Sequence, residues 1–119
     1  MSYTPNNEQA EQYVIGALLR DNAALEVISG SLKPEDFYSK QYADIYKTII
    51  KLNSAGEEVD IFIVADEVAP DNSANLLSYL GEIVVNTPSS SNIISYAKKV
   101  TDKSKEREMI AAHEKSLAT

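Results

Sequence analysis

Beyond the break at Asn86-Thr87-Pro88, nothing interrupts a helix for the rest of this chain. The residue before a proline avoids helical geometry, and the Ser-Ser-Ser-Asn run at 89–92 offers several caps. Residues 93–117 contain neither proline nor glycine. A helix over that stretch would span roughly 37 Å at 1.5 Å per residue. Its apolar stripe is thin: Ile93, Ala97 and Val100, then only Ile110 and Ala111. Thr101, Lys103, Ser104 and Lys105 in the middle are polar. A helix so long and so sparsely apolar cannot lie wholly on a small core; it is expected to project and to need a partner helix. The chain thus divides into a globular head over residues 1–88 and a long projecting helix over 89–119.

The head reads as helix after helix. Asn6 and Asn7 follow Pro5 and can cap a helix whose first turn carries Glu8 and Glu11, acids suited to the positive end of the helix dipole. Ala10, Val14, Ala17 and Leu18 share one face of it, with Ile15 beside them. Asp21 or Asn22 starts a short helix through Ile28, with Gly30 as the expected stop. Pro34 suits a first helical position, and about one turn follows before Ser39 caps the next helix. Tyr42, Ile45, Tyr46, Ile49 and Leu52 form its apolar stripe, and Gly56 ends it. The run Val59 to Val64 has the β-branched content of a buried strand. The competing reading, a helix capped by Asp60 and closed before Pro70, is preferred because a lone strand would have no partner. Asn72 or Ser73 opens a further helix carrying Leu76, Leu77, Leu80, Ile83 and Val84. The fold class is all-α, with a core built on Val14, Ile15, Leu18, Phe37, Ile45, Ile49, Leu52, Val64, Leu77 and Leu80.

Chemistry is sparse. The four glycines (Gly16, Gly30, Gly56 and Gly81) are isolated, and no G-x-x-x-x-G-K-[ST] loop is present, so ATP binding by this chain is not expected. There is no cysteine and one histidine, His113, which reads as a surface residue. Asp71, Ser73, Asn75 and Glu82 fit positions 1, 3, 5 and 12 of a calcium loop, but Leu76 stands where the sharp turn needs glycine. Scattered carboxylates fit capping and dipole roles, and no catalytic, cofactor-binding or metal residue is assigned. The formal charge of −7 disfavours a broad face for the DNA backbone. Lys98, Lys99, Lys103, Lys105 and Arg107 cluster, but Asp102, Glu106 and Glu108 interleave with them, giving a mixed solvated face. No apolar run approaches the ~20 residues that span a bilayer. The opening MSYTPNNEQAEQ has neither the basic start nor the apolar core of a signal peptide, so the expected location is cytoplasmic.

Several motifs lie in a recognisable order. Gln9-Ala10-Glu11-Gln12-Tyr13-Val14-Ile15-Gly16-Ala17-Leu18 is followed by Leu32-Lys33-Pro34-Glu35-Asp36-Phe37-Tyr38. Leu52, Gly56, Val59 and Asp60 come next, then Tyr79 to Asn92 with its Thr-Pro-Ser, then Tyr96, Ala97 and Val100, and last Arg107-Glu108-Met109-Ile110. In that order and spacing, over nearly the whole chain, they resemble the N-terminal domain of DnaB-type replicative DNA helicases. The chain departs from the family pattern at Gln9, at Tyr42-Ala43 where a His-Arg pair is common, at Glu58 in place of proline, at Ile63 in place of threonine, and in a shorter connection before Tyr79. Polar contacts the family makes from those positions are therefore not expected to carry over.

The resemblance implies an all-helical head followed by a helical hairpin, of which the long helix would be the first arm. It implies self-association through hairpin pairs within a hexameric ring, and docking of a primase and of a helicase loader, with little direct DNA binding by this domain and none to membrane. ATP and Mg would serve only a separate nucleotide-binding domain, so this chain is expected not to be an enzyme. Together the thin stripe and the resemblance point to Ile93, Tyr96, Ala97, Val100, Ser104, Arg107 and Ile110 as subunit contacts. A stand-alone helical adaptor or inhibitor that mimics this domain is the alternative reading.

Overall fold

Short polar side chains start most of the helices. In the computed structural model, which describes residues 4–118, Asn7 opens α1 (Glu8–Arg20) by accepting the Ala10 N–H. The outer ends of the expected head and arm, residues 1–3 and 119, lie outside the described residues. Asp21 accepts the Ala23 N–H and begins a 3-10 turn, Asn22–Ala24, that runs into α2 (Leu25–Ile28). Ser39 caps α3 (Lys40–Ser54) through the Tyr42 N–H, and Asp60 caps α4 (Ile61–Val68) through the Ile63 N–H. Each such cap is worth about 1 kcal/mol to its helix. α5 (Ser73–Asn86) and α6 (Ile93–Ala118) complete the set. The β-branched run around Ile61 is therefore helix, and no strand occurs among the described residues.

Gly56 closes α3 at φ 71°, a conformation that costs glycine little. The Glu57 N–H then reaches back to the Leu52 carbonyl at 2.9 Å. Gly30 does not act this way: its φ is not positive, and α2 ends through the Ser29 N–H on the Leu25 carbonyl. The residues suggestive of a calcium loop lie largely within α5, whose regular helix cannot wrap an ion.

α1 is the central strut. It packs against α3, α5 and α6, while α4 lies on α3 and α5 and α2 lies on α6. Val14, Ile15, Ala17 and Leu18 on α1 are fully buried, because their spacing covers more than one face and each face meets a neighbour. Of the expected core, Phe37, Ile45, Ile49, Leu52, Val64 and Leu80 are also buried, and Leu77 is half-buried against them. Phe37 and Tyr46 meet with ring centroids 5.1 Å apart. The Tyr46 hydroxyl donates to the Leu32 carbonyl at 2.8 Å, and burial, with Asp36 nearby, pushes its pKa up to about 12.

The first half of the long helix lies on the head. Ile93, Ala97, Val100 and Ser104, expected at a subunit contact, are buried by the chain's own head. Their i, i+4, i+7, i+11 spacing forms one stripe, and α1 and α2 pack along α6. Head packing thus continues past residue 88 and into α6. From residue 108 onward every described residue of α6 is exposed. The helix is half core element and half arm.

Candidate interaction site

Two features on α6 stand out: a polar node where the helix leaves the head, and the exposed arm beyond it. The node begins with Pro34, which opens the 3-10 turn Pro34–Asp36. The Asp36 carboxylate closes that turn by accepting the Lys33 N–H on Oδ2 at 2.8 Å. Its Oδ1 is left to accept from the Ser104 hydroxyl of α6, also at 2.8 Å. One turn further along, the Arg107 guanidinium donates to two backbone carbonyls, Pro5 at 2.8 Å and Asp36 at 2.7 Å. The same guanidinium lies 5.7 Å from the centroid of the Tyr38 ring.

Behind Tyr38 stands Glu11. Its side chain is 1% exposed, and its two oxygens accept the backbone N–H groups of Tyr38 at 2.8 Å and Ser39 at 3.0 Å. These donors precede α3, so an acid from the first turn of α1 ties down the entry to a different helix. Burial raises the Glu11 carboxyl above its ordinary value, and the two N–H groups and Arg107 offset only part of that.

The node joins three sequence segments quoted above: the Glu11 motif, the Pro34 to Tyr38 motif and the Arg107 cluster. Their residue types follow from geometry. A carboxylate can take two N–H groups at once, and a guanidinium can reach two carbonyls while lying on a ring. Sequence reading assigned Glu11 to its own helix dipole and missed this role. A signal was present: Glu11 lies three, four and seven residues before Val14, Ile15 and Leu18, on the buried face. Arg107 likewise follows the stripe through Val100 and Ser104.

Of the expected subunit contacts, Tyr96 is half-buried with its ring 5.2 Å from that of Tyr13 on α1. Arg107 is engaged with the head, and Ile110 is exposed. On the arm, Met109, Ile110, His113 and Leu117 fall on one side, turned away from the line of Ile93, Ala97, Val100 and Ser104. Met109 is 72%, Ile110 40% and Leu117 73% exposed, on an arm whose other described residues are alanine or polar. Pro5, Lys103, Glu106, Met109 and Ile110 line a shallow groove of about 370 Å³ at the arm's base. Among the described residues no cluster of three His, Cys, Asp or Glu side chains could hold a metal. No helix among the described residues is long and apolar enough to cross a membrane. The geometry offers contact surface.

Comparison with known proteins agrees with the motif order. The family model of the DnaB-like helicase N terminal domain matches residues 3–102. The replicative DNA helicase DnaC of Bacillus subtilis (strain 168) is 38% identical over 109 residues, covering 89% of this chain and 24% of that protein. The replicative DNA helicase DnaB of Pasteurella multocida (strain Pm70) is 33% identical over 110 residues, covering 90% and 24%. The chain therefore spans about a quarter of the length of these relatives. The crystal structure of the N-terminal domain of DnaB helicase from Mycobacterium tuberculosis superposes with a TM-score of 0.88 at 27% identity, over 98% of this chain and 86% of that one. With the motifs in order and the helical fold in common, the chain belongs to the family of DnaB-like helicase N-terminal domains.

Proposed function

We propose that this chain is the N-terminal assembly and partner-docking domain of a replicative DNA helicase, acting in DNA replication in the cytoplasm. It supports ring assembly through self-association and receives a primase or loader. Nucleotide hydrolysis, with ATP and Mg, belongs to a separate domain. The observation that carries this reading is the exposed apolar side of the arm. Met109, Ile110 and Leu117 are exposed on a helix whose Ile93, Ala97 and Val100 are in the core, with Ile94 also exposed at its start. Three such side chains along one helix face are suited to burial against a second helix. Ile110 is retained from the expected contacts; Ile93, Ala97, Val100 and Ser104 serve by holding the arm's root.

Sedimentation velocity over a concentration series tests the proposal. The chain should self-associate as concentration rises, and Ile110→Glu with Leu117→Glu should keep it monomeric while its helical circular dichroism is unchanged. A chain that stays monomeric throughout, or a double variant that associates like the parent, would count against the arm as the assembly surface.

A further inference from the structure

We propose that Arg107 and its partners form a latch that fixes the direction in which the arm leaves the head, and that opening it releases the arm without unfolding the core. Arg107 lies where α6 stops being covered. Val100 and Ser104 are buried, Arg107 is half-buried, and residues 108–118 are exposed. Among the described residues, three hydrogen bonds and one ring contact involving Ser104 and Arg107 hold the helix at this exit. Ser104 donates to Asp36, and Arg107 donates to Pro5 and to Asp36 while lying over Tyr38. Above the exit, Ile93, Ala97 and Val100 hold the helix by apolar burial. Contacts of the first kind, few and partly solvated, open locally at lower cost than a packed core.

The chemistry of the partners makes this a latch with defined parts. Two of the acceptors are main-chain carbonyls, from residues 102 and 71 positions away in sequence. A planar guanidinium reaches both at once and still presents a face to the Tyr38 ring, which an ammonium cannot do. Asp36 divides its carboxylate between its own turn and Ser104. Glu11 holds the backbone of Tyr38 and Ser39, and so holds the ring on which Arg107 lies. The latch thus connects α1, the entry to α3, the segment before α1 and α6 at one point, and its state sets where the arm presents Met109, Ile110 and Leu117.

The test is a distance within one chain, so its outcome is separate from whether chains associate. The sequence has no cysteine, so spin labels can be placed at Asn53→Cys on the head and Glu114→Cys on the arm, both exposed positions. Labelled chain is diluted into unlabelled chain to suppress distances between copies, and pulsed dipolar spectroscopy gives the distribution. The parent should give one narrow distribution. Arg107→Lys, which keeps the charge but not the fork, should widen it about twofold, and Ser104→Ala should widen it less. Lys105→Ala, an exposed neighbour, should leave it unchanged. Distributions as narrow as the parent's in both Arg107→Lys and Ser104→Ala, with thermal unfolding showing an intact head, would overturn the proposal. Equal broadening in Lys105→Ala would overturn it too. Should Arg107→Lys not fold, Ser104→Ala against Lys105→Ala decides.

Discussion

Gly16 lies where α1 meets the end of α5. A Cβ built there would fall 1.8 Å from the Thr87 hydroxyl oxygen, 2.9 Å from the Thr87 Cβ and 3.1 Å from the Ile83 carbonyl oxygen. Thr87 cannot simply turn aside, because it is buried and its hydroxyl donates to the Ile83 carbonyl at 2.7 Å. Its own carbonyl accepts from Arg20, which pins the end of α5 back onto α1. Two effects oppose each other in Gly16→Ala. Alanine gains about 1 kcal/mol in helix propensity, whereas overpacking a close contact costs about 1–3 kcal/mol. Backbone lies behind the clash, so the cost wins, and Gly16→Ala should lower stability in urea unfolding. Thr87→Ala removes the nearest atom, so Gly16→Ala should be less damaging in that background than in the parent. Additive effects in the double-mutant cycle would place the close approach elsewhere. None of this was visible in the sequence, where Gly16 is one isolated glycine among four. The pattern of neighbours along α1 marks its faces, but not which helix comes near.

At the scale of elements, starts and stops were legible because they are local chemistry. Asn7, Ser39 and Asp60 bond to N–H groups three residues on, a relation that needs no tertiary information. Gly56 and the apolar stripe of α3 were readable for the same reason. The long-range polar partners were not. The carboxylate of Glu11 is 27 residues from the N–H of Tyr38, and only packing brings them together. Its consequence for α3 can be measured. Burial lifts the folded-state pKa of Glu11 above the ordinary 4.5, so the folded chain binds this proton more tightly than the unfolded chain does. Glu11's contribution is then fully present below about pH 4.5 and is lost as pH rises through its folded-state pKa. Unfolding of the parent and of Glu11→Gln across that window should differ in slope. The parent should lose stability relative to the variant as pH rises. Parallel curves would mean that the N–H groups of Tyr38 and Ser39, with Arg107, fully offset the burial.

For the whole molecule, the division of α6 into core half and arm half predicts how the chain responds to shortening. Sequence reading placed the boundary before this helix, because a thin stripe looks insufficient to hold 26 residues on a head. It is sufficient for the first half: Ile93 and Val100 are nearly fully buried, and Ala97 lies between them. Fully burying a large apolar side chain contributes roughly 1.5–3 kcal/mol. Ile93 and Val100 alone therefore account for about 3–6 kcal/mol, against a total stability of about 5–15 kcal/mol for an ordinary domain. A chain ending at Asn92 should accordingly lose its cooperative thermal transition. A chain ending at Glu108 keeps that burial together with Ser104 and Arg107, and the described residues it removes, 109–118, are all exposed. Its stability should stay within about 0.5 kcal/mol of the parent's. Circular dichroism melts and amide exchange on the two truncations separate the cases. Protection along α1 and α3 should persist in the chain ending at Glu108 and vanish in the one ending at Asn92. If the longer truncation product also lost its cooperative transition, the arm would be supporting the head, for example through the groove that Met109 and Ile110 line with Pro5. If the shorter one stayed folded, α1 would be held by α3 and α5 alone.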